Sequence, residues 1–196
     1  MKICVRPGFV VPVGIFLLAP FRKTALLTLL AAVIHEFGHI AMIRAFGGRV
    51  ERIELRLTGA VIVPSPRPLL GYGAEVAVSL AGVTANFLCA LAAIKSGAFA
   101  FAGASLVLAF GNLLPILPLD GGRAIFFLLC RFLRPEAAFL FVNVFSAMIG
   151  ISAILWTVGR RTDCSKSMLG AIVLVSGIVI IRAIVNLFAK IRYFYK

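Results

Sequence analysis

Histidine and acidic residues are scarce in this 196-residue chain, which has two histidines and seven aspartates and glutamates in all. Charged residues amount to 14% of the sequence, against about 25% in an ordinary soluble domain. With 62% hydrophobic residues and a mean hydropathy of +1.08, one core of this size cannot bury the apolar surface, which excludes a water-soluble fold. The cysteines Cys4, Cys89, Cys130 and Cys164 are far apart and form no Cys-x-x-Cys pair. That spacing argues against a thiolate metal site or a disulfide framework and predicts buried free thiols. Only basic residues are plentiful, with 20 Lys and Arg giving a net charge of +13. They come in small groups between apolar stretches, with no basic stripe, so they suit the flanks of membrane spans better than a nucleic-acid partner. The first apolar run, residues 9–20, lacks a clear small-residue cleavage site, which argues against a cleavable signal peptide.

A span needs about 20 apolar residues. Six segments approach that length: residues 3–20, 24–46, 73–94, 99–119, 136–158 and 168–189. The first is interrupted by Pro7, Gly8 and Pro12, the second stops at Gly47–Gly48, and the fourth carries Pro115 and Pro118 near its end. The expected architecture is an all-α polytopic membrane protein of about six transmembrane helices, organised as a single domain over residues 1–196. Between the second and third spans the pattern changes. Residues 52–57 read Arg-Ile-Glu-Leu-Arg-Leu, the strict alternation of a half-buried strand, and residues 60–63 could return after a turn at Thr58-Gly59. A small β-hairpin at the membrane surface is expected, with an amphipathic loop as the alternative.

Charge counting sets the expected topology. With the N-terminus inside, fourteen basic residues fall on the cytoplasmic side: Lys2, Arg6, Arg44, Arg49, Arg52, Arg56, Arg67, Arg123, Arg131, Arg134, Arg182, Lys190, Arg192 and Lys196. Six remain outside: Arg22, Lys23, Lys95, Arg160, Arg161 and Lys166. The positive-inside rule then places both termini and the hairpin in the cytoplasm.

The two histidines stand together in His35-Glu36-Phe37-Gly38-His39, an HExxH pattern. On a helix, positions i and i+4 share a face, so both imidazoles can reach one Zn²⁺ while Glu36 is offset toward an open coordination position. A carboxylate there can take a proton from water acidified by the metal. Three ionisable groups about a dozen residues into an apolar span are costly without a partner, and a metal supplies one. A polar cluster packed against other helices is the alternative. Catalytic zinc usually takes three protein ligands. Among the remaining carboxylates, Glu51, Glu54 and Asp163 sit in hydrophilic loops and Glu75 and Glu136 at span entrances. Asp120 differs, lying in Asn-Leu-Leu-Pro-Ile-Leu-Pro-Leu-Asp-Gly-Gly, residues 112–122. Two prolines break helical pairing and two glycines allow a sharp turn, which suits either a third ligand on a rigid bend or the N-cap of a helix over residues 121–132. Gly82 and Asn86, four apart, suit close helix packing or substrate contact equally. Asn143 and Ser146 are expected at interhelical contacts, and Gly97 in packing.

HEFGH in an early span, SLAGVTAN at residues 79–86 and NLLPILPLDGG at residues 112–122 together resemble the site-2 protease family of intramembrane zinc metalloproteases, over nearly the whole chain. The resemblance implies zinc on His35, His39 and Asp120, Glu36 as catalytic base, and Asn112 helping to position substrate or the oxyanion. Asn86 falls in the family's GPxxN element, in which this chain has Val83 in place of the usual proline. The family's sporulation members carry a CBS domain and other members a PDZ domain; neither is expected here, so control would fall to a separate regulatory membrane protein or to substrate supply. The implied activity is hydrolysis of a membrane-tethered protein in the bilayer, releasing a cytoplasmic fragment, with the 52–57 strand offering an edge to the extended substrate. The alternatives are a metal-ion transporter and a non-catalytic pseudoprotease.

Overall fold

The computed structural model describes residues 2–5, 14, 22–56, 59–64 and 70–159. The sixth apolar segment with Arg182, together with Cys164 and most of the first segment, lies outside the described residues. The chain divides into two compact units, Met1–Leu113 and Leu114–Lys196.

In the first unit, strand β1 (Lys2–Val5) precedes helix α1 (Arg22–Ala45), strands β2 (Val50–Arg56) and β3 (Gly59–Pro64), and helices α2 (Tyr72–Lys95) and α3 (Phe99–Leu113). The second unit holds α4 (Asp120–Leu129) and α5 (Pro135–Gly159). The fold is mostly helical rather than all-α. The expected hairpin is present, with β2 antiparallel to β3, but β1 adds a third strand parallel to β2, pairing Lys2 with Arg52 and Val5 with Leu55. Two corrections follow. Residues 2–5 are strand, so no span begins at Ile3. Among the described residues the order β1-β2-β3 also puts β2 in the middle of the sheet, so the expected strand, present as Val50–Arg56, offers no edge and the edges belong to β1 and β3. Nor is Glu54 a loop residue. It is buried in β2 and paired with Arg52 Nε at 2.9 Å, the two side chains sharing a face because strand side chains repeat every second residue.

Among the described residues three helices are long and apolar enough to cross a membrane: Arg22–Ala45, Tyr72–Lys95 and Pro135–Ala153. At 1.5 Å per residue the 24 residues of α1 reach about 36 Å, enough for a ~30 Å hydrocarbon core. The fourth segment forms a shorter helix than expected. It stops at Leu113, because Pro115 lacks the amide hydrogen that would continue the ladder. α1 ends at Gly47, whose φ of +76° closes the last turn as the Gly48 amide donates to the Ile43 carbonyl at 2.8 Å. Gly97, with φ +77°, ends α2 in the same way, so it serves as a cap as well as a small residue.

Packing within the first unit is inverted relative to a soluble protein. Many buried positions of α1, α2 and α3 are small residues, among them Ala31, Ser79, Ala81, Gly82, Ala90, Ser105 and Ala109, whereas Leu26, Phe37, Leu88, Val107 and Phe110 are exposed. In water such an exposed apolar surface would be a liability. In lipid it is the solvated face, and small residues between helices supply the close packing that holds them together. Gly38 shows how close that packing is, since a Cβ there would lie 2.6 Å from the Ala81 carbonyl oxygen. At the C-terminal end of α1, Ile40, Ile43, Val50 and Val78 form a buried cluster that ties the helix to β2 and α2.

In the second unit the broken stretch 114–119 leads into α4. The Leu117 amide donates to Ser146 Oγ at 3.2 Å, and that hydroxyl donates to the Val142 carbonyl at 2.7 Å, so Ser146 ties α5 to the bend. The amide of Asn143 donates within its own helix, to the Phe139 carbonyl at 2.8 Å. Gly122 is fixed by its surroundings. A Cβ there would meet the Ile116 carbonyl carbon at 2.5 Å and the Leu117 nitrogen at 2.7 Å, both backbone atoms that cannot swing aside. Gly122→Ala should destabilise the unit by about 1–3 kcal/mol, the usual cost of overpacking. An unchanged thermal midpoint of the purified protein in detergent would contradict this contact.

Candidate metal centre

α1 places His35 and His39 one turn apart with both side chains buried, at 5% and 6% exposure. Their rings are edge-to-face, 4.8 Å between centroids, and their Nε2 atoms are 3.1 Å apart. Each ring is tethered on its other nitrogen by α2. His39 Nδ1 is 2.7 Å from the Val78 carbonyl, which can only accept, so His39 carries its proton on Nδ1 and presents an Nε2 lone pair. His35 Nδ1 is 3.2 Å from the amide Nδ2 of Asn86, a side chain with no exposed surface. Two imidazoles held from behind with ring nitrogens converging in front is the arrangement metal-binding histidines use.

The space in front of the pair exists because residue 82 has no side chain. A Cβ at Gly82 would lie 2.5 Å from His39 Nε2 and 2.7 Å from His35 Nε2. Gly82 thus leaves a cradle at the two donor atoms, and the residues present fit a cation there. Glu36, between the histidines in sequence, is half-buried on the same helix.

Asp120 is buried at 6% exposure as the first residue of α4. It is not the N-cap. That position belongs to Leu119, whose φ and ψ of −65° and 161° are extended and which makes no side-chain cap bond. The helix itself ends at Leu129, short of the expected Phe132, and begins one residue earlier than expected because the Arg123 amide bonds the Leu119 carbonyl at 2.9 Å. A carboxylate in the first turn is favoured by the unpaired amides there. His35 and His39 in the first unit and Asp120 in the second each offer one atom of a kind that ligates metal ions.

The remaining expected residues fall differently. Asn112 donates from Nδ2 to the Leu108 carbonyl one turn back at 3.1 Å. Asn86 reaches the metal-ligand candidate His35 on α1 across 51 residues of sequence, a buried hydrogen-bonding contact between packed helices, as one of its two readings expects. Of the described cysteines all are free, but only Cys130 is buried. Cys4 is exposed and Cys89 half-buried, a correction to the expected burial: strand β1 leaves Cys4 open, and Cys89 lies on a half-covered face of α2. Burial pushes the Cys130 thiol up, and the charge of Glu136 acts in the same direction, so it stays protonated at neutral pH and makes a poor metal ligand. Sequence reasoning missed the Val78 carbonyl, for a backbone acceptor leaves no residue-type signal.

No family model matches the chain. The fold is that of a site-2 protease: the solved Site-2 Protease from Methanocaldococcus jannaschii aligns with a TM-score of 0.67 at 20% identity, covering 92% of this chain and 88% of that one. The chain is also 32% identical over 140 residues to Stage IV sporulation protein FB of Bacillus subtilis, an alignment covering 67% of this chain and 49% of the relative. The chain is thus similar to a site-2 protease in fold and to Stage IV sporulation protein FB in sequence. It spans about half the length of that curated relative.

Proposed function

We propose that the protein is an intramembrane zinc metalloprotease that hydrolyses a peptide bond in or near the transmembrane segment of a membrane-tethered protein. The observation that carries this reading is the converging pair of buried histidine Nε2 atoms over a side-chain-free Gly82, on a helix long and apolar enough to span. His35, His39 and Asp120 would hold the zinc. Bound there, zinc would supply Lewis acidity, polarising the scissile carbonyl and lowering the pKa of attacking water.

The chain's own groups supply the proton traffic. Glu36 would accept the proton of the attacking water on its carboxylate and pass it to the departing amine nitrogen, acting as base and then as acid. Asn112, near the end of α3, would help position the substrate or the developing oxyanion with its amide. A substrate helix hides its carbonyls in its own hydrogen bonds, so it must unwind before attack. Strand addition at β1 or β3, the sheet's edges, would give the unwound segment new partners. The excess of basic residues at one side predicts a multi-pass protein of the cell membrane with both termini cytoplasmic, and hence release of a cytoplasmic fragment.

The test is purified full-length chain with a single-span substrate in detergent. One zinc per chain is expected. Cleavage should be lost with a chelator and regained on adding zinc, and Asp120→Asn should lose metal and activity together. Chelator-resistant cleavage, or a chain that takes up no zinc, would overturn the proposal.

A further inference from the structure

We infer that Asn86 is a positioning residue that sets the tautomer of His35, its amide oxygen accepting from His35 Nδ1–H when the histidine pair holds a metal. This rests on the metal reading above and goes beyond it, because Asn86 touches neither metal nor substrate in this role.

The two histidines are tethered by unlike partners. His39 faces a backbone carbonyl, Val78, and so has one tautomer only. His35 faces a primary amide, which can donate or accept on the same spot. With Asn86 Nδ2 turned toward His35, the imidazole Nδ1 accepts, and a neutral ring then carries its proton on Nε2. That proton points at the His39 Nε2 lone pair 3.1 Å away, so in this tautomer His35 Nε2 has no lone pair to offer a cation. In the same orientation Asn86 Oδ1 is buried without a hydrogen-bond partner among the described residues.

Turning the amide by 180° about its last rotatable bond changes the outcome. Oδ1 then accepts from His35 Nδ1–H, the Nε2 proton having been lost to solvent and another gained at Nδ1, and both Nε2 lone pairs face the space over Gly82. The amide thus has two settings, and the turned one gives the buried Oδ1 the hydrogen bond it otherwise lacks. Partners of this kind fix ring orientation and tautomer in metal sites, and their loss typically costs about 10- to 100-fold in metal affinity.

The test uses full-length protein in detergent with Zn²⁺ as the probe, competing against a chromophoric chelator, for wild type, Asn86→Leu and Asn86→Asp. Leu has similar size but cannot accept; Asp can only accept. Asn86→Leu should bind zinc about 10- to 100-fold more weakly, while Asn86→Asp should stay near wild type or bind more tightly. Nitrogen-15 spectra of the imidazoles give a second readout, simplified because the chain has only two histidines. In the zinc-loaded wild type, Nδ1 of His35 should be protonated. Three results overturn the inference: equal zinc affinity in Asn86→Leu and wild type, Asn86→Asp as weak as Asn86→Leu, or a loaded His35 bound through Nδ1. Failure of wild type to bind zinc would instead bring down the metal reading itself, and this inference with it.

Discussion

Replacing Glu36 with Gln is expected to lower peptide cleavage by roughly 100- to 10,000-fold while leaving bound metal at the wild-type level. Gln has nearly the same shape as Glu and keeps one carbonyl oxygen, so the packing of α1 should survive. What disappears is a group that can hold a proton between the attacking water and the departing amine. Glu36 is half-buried on α1 beside two buried histidines, a setting in which no bulk solvent base is at hand to replace it. The expected pattern is a fall in kcat with little change in substrate binding, measured on the same substrate and in the same detergent as wild type. A variant with unaltered turnover would remove Glu36 from the mechanism. One that lost metal would show instead that the carboxylate holds the site together.

The second large effect is expected at a residue with no side chain. Gly82→Ala should weaken zinc binding on the order of 100-fold or more and remove activity with it, although every ligand atom is retained. The added methyl would lie 2.5 Å from His39 Nε2 and 2.7 Å from His35 Nε2, inside any real carbon contact. The rings could yield only by swinging away from α2. That would break the bond from His39 to Val78 and the contact of His35 with Asn86, which hold the two donors convergent. Gly103→Ala is the matched control, because a Cβ at that α3 position meets nothing within 4 Å. It should bind metal as wild type does, and in a helix interior Ala should if anything add stability. Equal zinc affinity in Gly82→Ala and Gly103→Ala would contradict the cradle.

How much of this was legible in the sequence depends on whether the signal is local. HExxH is local: helical spacing alone puts His35 and His39 on one face, and the structure has them there. The alternation at residues 52–57 was equally readable as a strand, since period two is a property of a few consecutive residues. Its place in the sheet was not readable. Nothing in Lys2–Val5, a stretch continuous with an apolar run, announces a parallel partner for a strand 50 residues away, and that partner makes β2 central. Helix ends were legible where glycine marks them, at Gly47, and misplaced where proline does, because residues 114–119 read as apolar enough to continue a span. Gly82 and Asn86 are the instructive case. Their four-residue spacing said only that they share a helix face; that this face carries the tether and the cradle of two histidines on another helix is a tertiary fact.

The most direct test of the central claim is to reconstitute the full-length chain with a single-span substrate in lipid vesicles and map the products by mass spectrometry. The account predicts a zinc-dependent cut in or near the substrate's transmembrane segment, absent with Glu36→Gln. Cuts confined to the substrate's soluble regions, or the same fragments from Glu36→Gln, would contradict it.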